Sequence, residues 1–442
     1  MVGDWKEEYR KKTVSAEEAV KVIKSGDRVS FTHGREPPAI ASAMAARKDE
    51  LKNVKVFMRT PTFDFGWYRE DWDESFHVEL SFVRPIAREM MLKHRSDFVP
   101  GGLIGITPQN PQVGEADVLI IELSPPDEHG FCSFGSSVWG KKRAVQCAKT
   151  VIAEVNKGFI RTGGDNSIHV SEIDYFVEHI SGKKSGSEMG QSGRKRTEPG
   201  KIEKQIAEYA GSLIEDGDVL QIGVGSASEA VALNGIMDNK SDLGWHSETT
   251  PPGIIKLVRE GVITGKRKQC NTGKFIAIAV DGAAEDMEFV DGNPMFELYD
   301  ADYVLDPRVI SGNDNFVAIN SAVSVDLTGQ INAESIGSVI MSGPGGQLSF
   351  AVAAQLSRGG RFITTLPSTT GNNKISRIVP AFKEGSMVTV PRTLADFVVS
   401  EYGIARLRGK THRERALELI AVAHPDFRAD LKRQAGAMVW PA

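Results

Sequence analysis

The stretch EKQIAEYAGSLIEDGDVLQIGVGSASEAVALNG, residues 203–235, reads as helix, turn, strand, glycine-bearing loop and helix. EKQIAEYAGSLI carries apolar residues at helical spacing, EDGD turns the chain, and VLQIGVG is an apolar strand closed by its glycines. The first half opens in the same way. Ser15-Ala-Glu-Glu18 forms a capping box that starts the helix AEEAVKVI, SGD turns the chain into the strand DRVSF, and the loop THGREPP follows. The plan recurs without a close sequence repeat, so it predicts two domains of related plan and not a solenoid.

Further buried strands are expected at ADVLIIEL (116–123), KTVIAEV (149–155), FIAIAV (275–280), ADYVLD (301–306) and GRFITTL (360–366). Short apolar runs separated by helical patterns suit a mostly parallel sheet covered on both faces. The fold class is therefore α/β. Between 181 and 201 the chain reads SGKKSGSEMGQSGRKRTEPGK, nearly free of apolar residues, as a linker does. It divides the chain into domains over 1–190 and 191–442. In open α/β sheets ligands sit beyond the carboxyl ends of strands, so the loops after strands carry the chemistry.

Composition narrows the class. The 442 residues are 40% hydrophobic and 25% charged, ordinary for a globular protein and too long for one core. Net charge is −5 with both signs interspersed and no basic block, which argues against a nucleic-acid partner. Three cysteines with no CxxC and no metal-type spacing point to a reduced, cytoplasmic protein without a metal site. MVGDWKEEYRKK lacks a signal-peptide core, and no window approaches the roughly 18 apolar residues of a membrane span, so no membrane partner is expected.

Five loops stand out. In QIGVGSASEA (221–230), Gly223 and Gly225 follow a strand and precede a helix, which reads either as backbone N–H groups facing an anion or as a tight turn needing glycine dihedrals. Ser228 stands where a dinucleotide fingerprint needs its third glycine, which disfavours a nicotinamide site. SGPGGQLSF (342–350) is either a plain loop or a source of free backbone donors of the kind an oxyanion needs. In GQINAES (329–335), Asn332 is either a neutral amide donor or a turn former. SPPDEHGFCSFG (124–135) reads as structure, since its single histidine and two acids lack a ligand spacing. LPSTTGNNKISRIVP (366–380) is a hydroxyl- and amide-rich loop. LGWHSETTPPG (243–253) then places Glu248 on a stiff, Pro-terminated loop after an apolar run.

Taken in order, QIGVGSASEAV, HSE, GQINAESIG, SGPGGQ and LPSTTG–ISRIVP resemble the acetyl-CoA hydrolase/transferase branch of the class I CoA-transferases. SPPDEHGFCSFG and VIAEVN point toward its 4-hydroxybutyrate CoA-transferase-like members, and EYGIARLRGKTHRERALELIAVAHPDFR (401–428) is similar to the family's C-terminal signature. The resemblance implies two open, mostly parallel α/β domains of related topology, with the active site in the cleft between them. It implies that Glu248 is a nucleophile that carries CoA as a glutamyl-CoA thioester in a ping-pong exchange between an acyl-CoA and a short carboxylate. By the same resemblance the Asn332 amide and Gly345 N–H serve one oxyanion and the Val224 N–H the other. Gly225, Ser226, Ala227, Ser228, Glu229 and Gly346 line CoA, which is a substrate and not a tightly bound cofactor. Members are commonly homodimers or larger assemblies.

The sequence departs from its relatives at Thr249, Pro251, Pro252, Ser349, Arg84 and Arg406. These departures leave the nucleophile and glycines in place and bear on which acid is used. Arg35 and Arg84 are candidates to bind a second carboxylate, as in succinate or itaconate, against butyrate- or acetate-type acids. The alternatives are an acyl-CoA hydrolase using the same glutamate and a CoA-binding protein without turnover.

Overall fold

The computed structural model describes residues 4–34, 36–101, 115–178, 198–233, 235–370 and 373–438. These fall into two compact units. One spans the chain to Lys195 together with Ile278–Tyr303, and the other takes Arg196–Ala277 and Val304 onward. Most of the linker read at 181–201 lies outside the described residues, as does Arg35.

In the first unit, β1 (Arg28–Phe31), β2 (Val54–Met58), β3 (Phe76–Leu80), β4 (Ser96–Phe98), β5 (Val118–Leu123), β6 (Thr150–Val155) and β7 (Tyr175–Glu178) form one sheet. The order is β7-β6-β5-β1-β2-β3-β4, and every pairing is parallel. Strand β5, VLIIEL, is buried at every position, which is why its sequence is an apolar run and not an alternation. Each of its Val, Leu and Ile side chains contributes about 1.5–3 kcal/mol. Glu154 in β6 is fully buried, yet its Oε2 accepts the N–H groups of Ala39 (2.9 Å) and Ile40 (3.1 Å). It thereby caps helix α1 (Pro38–Ala45) and fixes where the loop after β1 ends. Of the capping box expected at Ser15, one arm forms: Ser15 Oγ accepts from Glu18 N–H (3.2 Å), while the Glu18 carboxylate pairs with Lys21.

A division near 190 assigns residues 278–303 to the second domain, but they pack with the first unit. The Val138 N–H donates to Ile278 O (3.0 Å) and the Val280 N–H to Ser136 O (2.9 Å). Strand Phe296–Leu298 pairs with Gly163–Gly164, at Glu297↔Gly163 and Leu298↔Gly164. The strand expected at ADYVLD is instead a short helix, Ala301–Val304. Asp300 O accepts the Tyr303 N–H (3.1 Å), a turn that commits the backbone before any ladder forms. A short apolar run does not distinguish buried helix from buried strand by periodicity alone.

In the second unit, β8 (Val219–Ile222), β9 (Gly244–Ser247), β10 (Phe275–Ala277), β11 (Phe316–Ser321), β12 (Arg361–Thr365), β13 (Phe397–Ser400) and β14 (Gly403–Arg406) run in the order β14-β13-β12-β11-β8-β9-β10. Only the β13/β14 pairing is antiparallel. Both sheets place their first strand inside and add later strands first to one side, then to the other. This is the related topology that the repeated opening predicts. The strand order reverses at β1/β5 in one unit and at β8/β11 in the other, the points where such sheets open a crevice at their carboxyl ends. Helix α2 (Lys201–Gly211) precedes β8 and helix α3 (Ser226–Leu233) follows it.

Candidate active site

Strand β9, Gly-Trp-His-Ser, is buried at all its positions, so the residue after it is held by the sheet. The Trp245 ring stacks on Phe275 with centroids 5.5 Å apart, and Lys268, 3% exposed, donates to Trp245 O and Lys274 O at 3.0 Å each. His246 Nε2 donates to Val304 O (3.0 Å). A carbonyl only accepts, so the hydrogen sits on Nε2 and Nδ1 is bare, with no partner among the described residues. Burial, aided by the Lys268 charge, pushes the His246 pKa down to about 3. A neutral, fixed imidazole orients the strand and takes no part as a charged group.

Glu248 follows directly. Its Oε2 accepts the Gly346 N–H at 2.6 Å. The residue keeps a partly exposed surface, while desolvation of its carboxyl pushes the pKa up to about 7, opposed by the Gly346 bond. A carboxylate of that basicity is a better nucleophile than an ordinary one and is still substantially ionised near neutrality. Gly346 opens helix α4 (Gln347–Leu356). A Cβ there would lie 2.4 Å from Glu248 Oε2, 2.6 Å from Leu305 Cδ2 and 2.8 Å from Phe350 Cε2, so only glycine fits. On the other side of Glu248 the prolines lead to Gly253, at φ 93°, where a Cβ would meet Ala232 O at 2.6 Å. The loop is thus closed against α3.

The glycine turn after β8 is built from beneath. Gln221 and Asn320, both buried, exchange two amide hydrogen bonds of 3.2 and 2.8 Å. A Cβ on Gly223 would lie 2.3 Å from Asn320 Oδ1, so that residue must be glycine for the turn to sit on the pair. Ser228 Oγ donates to Gly223 O (2.6 Å) and meets Ser321 Oγ at 3.0 Å. Gly225, at φ 154°, donates to Glu229 Oε1 (3.3 Å). Val224 and Ser226 are exposed, and no hydrogen bond from the Val224 N–H forms among the described residues. Ala227 and Ser228 are buried and hold the turn from inside.

The other predicted positions divide. The Asn332 side chain, 2% exposed, spends its amide on its own turn, donating to Ser335 O (3.0 Å) and accepting from the Glu334 and Ser335 N–H groups (both 3.0 Å). Gly345 adopts φ 55°, and the N–H that reaches Glu248 belongs to its neighbour Gly346. Arg84, in the first unit, donates to Thr62 Oγ1 at 3.4 Å. In the loop after β5, Asp127 Oδ1 accepts from the His129 and Phe131 N–H groups (2.9 Å each), and burial pushes the Cys132 thiol up to about 12, leaving both structural. Sequence reasoning missed Lys268 and the Gln221–Asn320 pair. Asn320 lies 99 residues from Gln221 and Trp245 lies 23 from Lys268, and no local signal marks either pairing. Among the described residues no three His, Cys, Asp or Glu side chains gather as a metal site would require.

Comparison with known proteins bears on the family of the whole chain. The acetyl-CoA hydrolase/transferase N-terminal domain matches residues 3–182 and the corresponding C-terminal domain residues 282–435. The chain is 41% identical to the 4-hydroxybutyrate coenzyme A transferase of Clostridium kluyveri, over 98% of this chain and 99% of that one. It is 36% identical to the succinyl-CoA:cyclohexane-1-carboxylate CoA transferase of Geobacter metallireducens, over 98% and 97%. The crystal structure of RipA from Yersinia pestis superimposes with a TM-score of 0.88 at 31% identity, covering 98% of this chain and 99% of RipA. With both family domains in order and relatives matched end to end, the chain is an enzyme of the acetyl-CoA hydrolase/transferase family.

Proposed function

We propose that this enzyme moves CoA between an acyl-CoA and a short carboxylic acid, with Glu248 as the nucleophile. The observation that carries the reading is the Glu248 carboxyl held at the end of β9 by the Gly346 N–H at 2.6 Å. The Glu248 carboxylate attacks the thioester carbonyl, the C–S bond breaks, and CoA leaves as a thiolate from an acyl-glutamyl anhydride. The thiolate attacks the glutamyl carbonyl of that anhydride, the C–O bond breaks, and the first acid departs as its carboxylate. The glutamyl-CoA thioester that remains is attacked by the acceptor carboxylate, and the same two steps run in reverse. No net proton is taken up or released, so no general base is required, which fits a neutral His246.

Each step passes through a tetrahedral oxyanion, and backbone donors are the means to hold it. In this reading the free Val224 N–H serves one oxyanion. The Gly345–Gly346 turn serves the other, with Asn332 turning its amide from Ser335 toward it. The exposed Val224–Ser226 edge, Glu229 and the start of α3 contact CoA. The relatives named as transferases support transfer over hydrolysis. The reading includes a homo-oligomer working in the cytoplasm, on the family resemblance and three unpaired cysteines. Its test is exchange: with acetyl-CoA and butyrate, butyryl-CoA should accumulate faster than free thiol. Thiol release that ignores the acceptor would instead make the enzyme a hydrolase.

A further inference from the structure

Strand β9 is held on both sides by its ladders, at Val219↔Gly244 and Leu220↔Trp245 toward β8 and at Trp245↔Phe275, His246↔Ile276 and Ser247↔Ala277 toward β10. The fully buried His246 ring therefore rides on a fixed backbone. Its hydrogen bond from Nε2 to Val304 O (3.0 Å) passes the position of the strand to that partner. The partner depends on it. Val304 ends the short helix Ala301–Val304, and Asp306 opens another, Pro307–Ile310, by accepting the Arg308 N–H (2.8 Å). Helices this short do not hold themselves in water, so the Val304–Leu305 step between them takes its place from what it touches.

What it touches is the glycine that donates to Glu248. A Cβ on Gly346 would lie 2.6 Å from Leu305 Cδ2 and 2.4 Å from Glu248 Oε2, so the leucine and the carboxyl pack against the same residue. Phe350 Cε2, 2.8 Å from that Cβ, closes a further side. Leu305 and Phe350 are both buried, which gives Gly346 an apolar seat. The contacts form a ring: His246 to Val304 O, Leu305 to Gly346, and the Gly346 N–H to Glu248, two positions along the chain from His246. Every member lies in the second unit. Lys268 acts by charge on the His246 ring, and among the described residues no charged side chain acts on the Glu248 carboxyl.

We propose that His246 is a positioning residue for Glu248: by holding Val304 O it seats Leu305 against Gly346, and so fixes the N–H that the carboxyl accepts. The effect on turnover rests on the reading of Glu248 as the nucleophile; the seating of Gly346 does not. A hydrogen bond to the charged form of an acid favours that form, so a slack Gly346 N–H leaves the carboxyl harder to ionise as well as poorly aimed. Rate and pH midpoint then move together, which a loss of stability alone does not produce.

The test compares the wild type with His246→Met, which has no donor, His246→Gln, whose amide N–H can reach Val304 O, and Leu305→Ala, which breaks the next link. Exchange from acetyl-CoA to butyrate gives kcat, KM and the pH midpoint of kcat/KM. Hydrogen exchange of the peptide carrying Gly346, read by mass spectrometry without substrate, reports the seat itself. His246→Met and Leu305→Ala should each lower kcat about 10- to 100-fold while KM for acetyl-CoA changes less than about threefold. Both should raise the pH midpoint and speed hydrogen exchange at Gly346, and His246→Gln should restore most of each. Wild-type kcat and midpoint in a folded His246→Met protein, a His246→Gln no better than His246→Met, or unchanged exchange at Gly346 overturns the proposal. If His246→Met does not fold, His246→Asn, whose amide stops short of Val304 O, takes its place against His246→Gln by the same readouts. Full CoA exchange by Glu248→Ala would overturn the nucleophile reading, and hydrogen exchange at Gly346 would still decide whether His246 seats the donor.

Discussion

Gly346 donates its backbone N–H to Glu248 Oε2 at 2.6 Å, from a helix start where a single added carbon would sit 2.4 Å from the same oxygen. The Glu248 carboxyl and its donor therefore constrain each other. The residue that polarises the carboxyl must lack a side chain, and the carboxyl fills the space that a side chain would need.

Gly346→Ala tests that fit. Its backbone angles, φ −85° and ψ 2°, are open to alanine, so the effect arises from the clash and not from the chain conformation. The expected cost is about 1–3 kcal/mol of stability. Displacing the carboxyl should lower kcat at least about 100-fold. Urea unfolding and steady-state exchange measure the two; wild-type kcat in a folded Gly346→Ala protein would mean that this donor is idle.

The pH dependence follows from burial of the same carboxyl. With its pKa at about 7, the Glu248 carboxylate is lost as pH falls, and with it the nucleophile proposed above. The value of kcat/KM, which reports the free enzyme, should drop about tenfold per unit below pH 7 and level off above it. A profile flat from pH 5 to 8 would contradict the raised pKa.

Stability should move the other way. A folded-state pKa above the ordinary glutamate value means that the folded protein keeps a proton that the unfolded chain gives up. Folding is therefore weakened as pH rises from the ordinary glutamate range through 7, with the full cost present above it. Glu248→Gln removes that cost and should be more stable than wild type by on the order of 2 kcal/mol at pH 8, and little different at pH 4. Denaturant midpoints at both values measure this; a variant less stable at pH 8 would show that the site carries no such burden.

Local pattern made the two sheets legible. The helix–turn–strand–loop–helix openings at 15–35 and 203–235 rest on neighbours in sequence, and both appear as read, apart from one arm of the Ser15 box and Arg35, which lies outside the described residues. ADYVLD misled because its apolar residues suit either buried state, and the Asp300 turn decides for helix. The candidate site was legible where chemistry is local: a glutamate after a buried strand and glycines before helices. It was not legible where geometry comes from distant residues. Nothing near Gly223 announces the Gln221–Asn320 amide pair, 99 residues apart. Nothing near Trp245 announces Lys268. Likewise the step from Gly345 to Gly346 as the donor to Glu248 depends on how α4 begins, which spacing alone does not fix.

The central claim is that Glu248 itself carries CoA. Incubation of the wild type with acetyl-CoA, without an acceptor acid, followed by intact-mass and peptide analysis, tests it most directly. A CoA-sized thioester adduct on the peptide containing Glu248, discharged by an added carboxylate and missing from Glu248→Ala, is the predicted result. An adduct on another residue, or full exchange by Glu248→Ala, would contradict it.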